Sequence, residues 1–322
     1  MADVRGDEAP GDADPAAQAE VARLQHARPS VPQAEHEQAL ARLRASLFGG
    51  GPPGPRLERY PIERCLGRGG GGTVYLARDR ELDRPVAIKV LGGIAMGTDP
   101  ASSRAATRLL SEAEALARAP HPNVLAIYDL GTFVEASGAT AMFLVLEYVE
   151  GQDLRHWLQQ RQPWRRVLEI FMAAGRGLAA AHRAGVVHRD VKPANLMLGD
   201  DGRVRVVDFG LARGLGGGDA HETLRERGDT DGDGITAVGT IVGTPGYMAP
   251  EQHEGREADA TSDQYGFCVS LWEALLGARP FGGASLEALA AAKRAGPRAP
   301  PPRHRVAQSL IAALRRGLSP RA

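Results

Sequence analysis

Four consecutive glycines, Gly69 to Gly72, interrupt the stretch RCLGRGGGGTVYLARD (64–79), and Lys89 follows in VAIK seventeen residues after Gly72. The flanking residues alternate between apolar and polar, as strands do. A flexible, backbone-lined cover over phosphate groups is built from glycine because a Cβ would keep the N–H groups away from the oxygens. Such a cover needs a fixed cation beneath it, and Lys89, on the following strand, stands where its ammonium could reach. Taken alone, Gly67, Gly69 and Gly72 fit an ordinary hairpin turn equally well.

The motifs further along the chain separate these readings. The glycines and Val74 spell G-x-G-x-x-G-x-V and lead into a strand, whereas the dinucleotide-binding glycine motif opens a helix. LGRGGGGTVYLARD with VAIK resembles the ATP-binding start of a protein kinase. The likeness continues through HRDVKPANLM (188–197), VVDFGLAR (206–213) and GTPGYMAPEQ (243–252). Over about residues 58–320 the chain resembles a bacterial-type serine/threonine protein kinase.

That resemblance implies a site. Leu66, Gly67, Arg68, Gly69, Gly70, Gly71, Gly72, Thr73 and Val74 would cover the phosphates of ATP, and Lys89 would grip them. Gly71 departs from the bulky apolar residue usual at the tip of this loop. Glu112 would orient Lys89; Glu114 is the alternative, about 200° away on the same helix. Asp190 would accept the hydroxyl proton or orient the nucleophile, and Lys192 would neutralise charge on the transferred group. Asn195 and Asp208 would hold Mg²⁺, or Mn²⁺ in its place. Main-chain groups of Glu147 and Val149 would meet the adenine edge, between Leu66, Val74, Ala87 and Met197, with Leu146 behind.

The same resemblance assigns regulation and specificity. Residues 213–242 are polar and glycine-rich, which fits a long activation loop. Thr236 and Thr240 are the candidate phosphosites, Thr230 the third, with Arg189 as the partner of a phosphothreonine. Thr244 would hydrogen-bond Asp190 and Lys192, a feature of serine/threonine specificity. Asp263 would hold the catalytic-loop backbone. Protein substrates with Ser or Thr acceptors are implied, together with a transient dimer for trans-autophosphorylation. The likeness stops where relatives continue through another turn and helix, so the C-terminal end is expected to be incomplete. Glu251 then lacks an evident arginine partner, since Arg321 comes too early.

Two other classes compete. A catalytically inactive scaffold could use the same fold to bind nucleotide. A small-molecule phosphotransferase would lack GTPGYMAPEQ, which builds a peptide-docking surface.

Composition sets the frame for the elements that position these residues. Lys plus Arg and Asp plus Glu number 39 each in 322 residues, so no global field points to nucleic acid or a membrane surface. Two cysteines, Cys65 and Cys268, do not make a disulfide framework. With no basic-then-apolar leader and no long apolar run, a cytoplasmic location without a membrane span is expected. Residues 1–57 read as a mostly disordered extension with a short amphipathic helix near 33–48. Residues 58–150 read as a strand-rich lobe with one long helix, and 151–322 as a mostly helical lobe. The expected fold is therefore α+β, two-lobed, of the protein kinase type, with a small antiparallel sheet.

Overall fold

The alternation in RPVAIKVL has a direct structural consequence. In β3 (Arg84–Leu91), Val86 and Ile88 enter one buried cluster with Tyr60, Ala77, Phe143 and Val145. Ala87 and Leu91 face the other way, into the main core. Lys89 shares their parity, so the period of two that buries the strand also turns its only lysine toward the helical side.

The structure is a computed structural model and describes residues 59–69, 72–91, 100–134, 140–210, 244–302 and 304–319. The helix expected near 33–48 and the candidate phosphosites Thr230, Thr236 and Thr240 lie outside the described residues, as do Gly70 and Gly71. Five strands form an antiparallel sheet in the order β1-β2-β3-β5-β4: β1 (Ile62–Gly69), β2 (Gly72–Asp79), β3, β4 (Ile127–Val134) and β5 (Thr140–Glu147). One long helix, α1 (Pro100–Arg118), adds Leu109, Ala113 and Leu116 to the core alongside Leu130, Met142 and Leu144. Their spacing of i, i+4, i+7 is the buried stripe of an amphipathic helix.

The remainder is mostly helical. A small sheet of β6 (Gly151–Asp153), β7 (Leu196–Gly199) and β8 (Val204–Val206) carries the connections that bear the chemical groups. Around it lie α2 (Leu154–Trp157), α3 (Trp164–Arg183), α4 (Pro250–His253), α5 (Ala260–Leu276), α6 (Leu286–Ala295) and α7 (Gln308–Gly317). In α3, Val167, Ile170, Phe171, Ala174, Leu178 and Ala181 form the buried stripe. α5 is buried on several sides and is pinned at both ends, by the Asp259 side chain on Thr261 N and Ser262 N and by left-handed Gly277.

The two halves are stitched by backbone. Val206 N donates to Asn123 O and Leu125 N to Val206 O, while Asn123 Nδ2 reaches Val204 O at 2.7 Å. Gly177 of α3 permits this approach, since a Cβ there would lie 2.2 Å from Asn123 O. Among the described residues no helix is long and apolar enough to cross a membrane.

Candidate functional site

The segment from His188 to Asp190 is held from beneath by one buried carboxylate. Asp263, in the first turn of α5 and 1% exposed, accepts hydrogen bonds from His188 N and Arg189 N at 2.7 Å each. His182 Nε2 lies 2.8 Å from the same group. The His188 ring adds a second anchor: Nε2 contacts Val207 O at 2.8 Å, and Nδ1 accepts from Asp190 N at 3.2 Å. Its ring also packs on Phe209, centroids 4.8 Å apart. Pinned in this way, Arg189 (φ 68°) and Asp208 (φ 57°) adopt left-handed backbone that a non-glycine residue takes only under constraint.

Three chemistry-bearing groups share that loop. Lys192 Nζ lies 3.2 Å from Asp190 Oδ2. Asn195, buried in the turn Pro193–Asn195, donates from Nδ2 to Asp190 O at 2.8 Å and to Asp190 Oδ2 at 3.3 Å. Asn195 O in turn accepts from Val207 N, which couples the loop to the residue before Asp208. Gly210 N then returns to His188 O, and a Cβ at Gly210 would crowd that oxygen at 2.9 Å.

Lys89, 8% exposed, places Nζ 2.8 Å from Asp208 Oδ1. This differs from the expected partner. Glu112 spends both carboxylate oxygens on Arg189, with Nη1 to Oε2 at 3.0 Å and Nη2 to Oε1 at 2.7 Å. A planar guanidinium matches a carboxylate at two points, whereas an ammonium offers a single point contact. Those hydrogen bonds hold the Arg189 pKa above its ordinary value even against burial. Of the two candidate carboxylates, Glu112 faces the loop, while Glu114 lies 3.7 Å from Arg118 on its own helix.

The glycine stretch lies between the paired parts of β1 and β2. Gly67 pairs with Val74, Arg68 with Thr73 and Gly69 with Gly72. Gly72 has φ +118°, and a Cβ there would lie 1.9 Å from Val90 O on β3. Val74 stands opposite Lys89 in the sheet, and Ala87 opposite Leu146. Ala87 and Leu146 are buried, Val74, Val149 and Met197 half-buried, and Leu66 exposed. The Glu147 carboxylate pairs with Arg205 at 2.7 Å, and Arg205 also grips Asp201.

Thr244 opens the turn Thr244–Gly246, ahead of α4. Gln252 proves to be a brace that the motif alone did not reveal. Its Oε1 accepts from Ala249 N at 2.9 Å and its Nε2 donates to Arg189 O at 3.0 Å. A side-chain amide directly after a motif glutamate was the available sequence signal. The His188 and His182 contacts to Val207 and Asp263 were also not read from the sequence.

The donor set suits a hard cation bound together with phosphate. Asn195 and Asp208 offer oxygen, and no cluster of three His, Cys, Asp or Glu side chains that could hold an ion occurs among the described residues. Two such ligands would leave coordination sites for phosphate and water. Lys89 and Lys192 supply nearby positive charge.

Known proteins match most of the chain. The family described as protein kinase domain matches residues 60–305. Serine/threonine-protein kinase PknL of Mycobacterium tuberculosis is 38% identical over 235 residues, 72% of this chain and 53% of PknL. Serine/threonine-protein kinase PknB of Mycolicibacterium smegmatis is 38% identical over 235 residues, 72% of this chain and 35% of PknB. PknB of Mycobacterium tuberculosis is 36% identical over 230 residues, 71% of this chain and 34% of its own length. The match thus spans about half the length of PknL and about a third of PknB.

Proposed function

Since the chain belongs to the protein kinase family, we propose that it transfers the γ-phosphoryl group of ATP to Ser and Thr hydroxyls of proteins, and to its own activation loop, in bacterial signalling. The observation that carries this reading is the Asp190, Lys192 and Asn195 constellation, held on a backbone that Asp263 pins, beside Lys89 and Asp208.

In this reading Mg·ATP supplies the transferable phosphoryl group and the divalent charge that neutralises it. Asn195 and Asp208 would hold the cation, Asn195 with its amide oxygen, since Nδ2 already donates to Asp190. Asp190 orients the acceptor hydroxyl and takes its proton. Lys192 neutralises charge on the group in transit, and Lys89 positions the phosphates. Little covalent chemistry is asked of the protein; placement and charge do most of it.

Regulation follows from the ion pairs. Glu112 orients Lys89 only when Arg189 releases it, and a phosphothreonine at Thr236 or Thr240 is a stronger bidentate partner for Arg189 than a carboxylate. Trans-autophosphorylation of that loop calls for transient dimerisation.

The experiment is incorporation of phosphate by purified protein with Mg·ATP, beside Lys89→Met and Asp190→Asn, with sites mapped by mass spectrometry. Phosphothreonine within 213–244 that vanishes in both variants supports the kinase. One observation favours a nucleotide-binding scaffold instead: Lys89 is engaged by Asp208 rather than by Glu112. Nucleotide binding by folded protein, with no incorporation under Mg²⁺ or Mn²⁺, would establish that second reading.

A further inference from the structure

Lys293, on α6, has no exposed surface. An ammonium in such a place is tolerated only when its N–H groups have acceptors. Lys293 Nζ donates to Pro245 O at 2.9 Å and to Met248 O at 2.6 Å, and it meets His253 Nε2 at 2.9 Å. Three partners match three N–H bonds. Two are main-chain oxygens that bracket one short segment, Pro245 to Met248.

That segment is also tied on its other side. Ala249 N donates to Gln252, whose amide reaches Arg189 O in the catalytic loop. Tyr247 OH donates to Glu273 at 2.6 Å, and Arg279 lies over the Tyr247 ring. Lys293 therefore caps the segment's carbonyls, while Gln252 links its end to Arg189, the neighbour of Asp190. The charged and titratable groups around Lys293 are His253 and Glu251 on α4, Arg279 beyond α5, and the Tyr265 ring of α5 at 5.8 Å. Glu251, left without an evident arginine by the sequence, accepts from Ser262 Oγ and faces Lys293 electrostatically.

We propose that Lys293 is a positioning residue for the acceptor polypeptide: by fixing the carbonyls of Pro245 and Met248 it sets the path of the 244–248 segment relative to Asp190. The inference rests on the kinase reading, in which this segment is the surface where an acceptor chain docks. Lys293 touches neither nucleotide site nor reacting atoms, so its effect belongs to acceptor binding and not to ATP.

The test compares wild type with Lys293→Met, similar in length but without donors, using myelin basic protein as acceptor and varying acceptor and ATP separately. The expected result is a rise of about tenfold in KM for the acceptor, with KM for ATP within about twofold. Equal changes in both constants, or no change in either, would overturn the proposal. If Lys293→Met does not yield folded protein, Lys293→Gln carries the test, since its shorter side chain keeps donors yet cannot hold both carbonyls as the ammonium does. An increase of about threefold confined to the acceptor constant then supports the inference, and an unchanged acceptor constant overturns it. A wild type that labels neither itself nor the acceptor overturns the kinase reading and this inference together; an active wild type with unaltered variants overturns the inference alone.

Discussion

Glu112 binds Arg189 through two hydrogen bonds, 3.0 and 2.7 Å, and is thereby withheld from Lys89. Lys89 instead sits 2.8 Å from Asp208. Two ion pairs thus join Glu112 to Arg189 and Lys89 to Asp208, whereas the proposed kinase reading pairs Lys89 with Glu112, so Glu112 is the member for which Arg189 and Lys89 compete. Partners joined in one network give non-additive mutational effects.

The first prediction is a double-mutant cycle. Thr236→Ala with Thr240→Ala should lower the initial rate on a protein acceptor by about fivefold or more when Arg189 is present. In an Arg189→Ala background the same pair should change nothing further, because the phosphate would have no arginine to draw away from Glu112. Equal losses in both backgrounds would separate loop phosphorylation from the Glu112 and Arg189 pair.

Gly72→Ala tests the start of β2, in the glycine stretch proposed to cover the phosphates. The added methyl meets Val90 O at 1.9 Å, and φ +118° is hostile to any L side chain. A forced backbone of this type costs on the order of 1–3 kcal/mol, and here the strain falls on the strand that carries Lys89. Thermal denaturation should show a lowered midpoint, and titration with a fluorescent ATP analogue a weakened affinity. Unchanged affinity would mean that β2 shifts without disturbing the phosphate-facing surface.

How far the sequence reached depends on the range of each signal. β3 was legible because its alternation is local, and the same two-residue period turned Lys89 toward the site. Asp190, Asn195 and Asp208 were named through the resemblance that HRDVKPANLM and VVDFGLAR carry; the structure links the loop bearing the first two to the strand end bearing the third through Val207 N on Asn195 O. The partner of Glu112 was not legible. Its choice between Lys89 and Arg189 is decided by tertiary distance and by which cation offers a matching fork, and neither is encoded in spacing. Lys293 was hidden for a related reason: in LEALAAAKRAG it reads as an ordinary basic residue in the last helical turn. Only the packing of α6 against Pro245 and Met248 removes it from solvent.

Asp263→Ala should be strongly destabilising. The carboxylate receives His188 N and Arg189 N and contacts His182, all within a buried environment. Its removal leaves those donors unmet, a loss on the order of 3–5 kcal/mol. Urea unfolding would measure it. A small loss of stability with a large loss of activity would place Asp263 with the loop's geometry more than with the fold's integrity.

The last prediction concerns pH. Burial, reinforced by Arg279 and opposed by Glu251, lowers the Lys293 pKa from its ordinary 10.5 to about 7. Between these values the unfolded chain keeps a proton that the folded chain gives up. Stability therefore rises with pH above about 7 and levels off near the unfolded value, while below about 7 both states are protonated and this group adds no slope. Lys293→Met lacks the ionisation, so the stability difference between wild type and variant should move toward wild type by about 2 kcal/mol from about pH 7 to about pH 9. Urea unfolding of both proteins at the two pH values checks it. The positioning role need not fade across this window, because a neutral amine still donates two hydrogen bonds, to Pro245 O and Met248 O, and can accept one from His253. A flat difference would show that the three partners keep the ammonium charged throughout, in which case hydrogen bonding outweighs desolvation at this lysine.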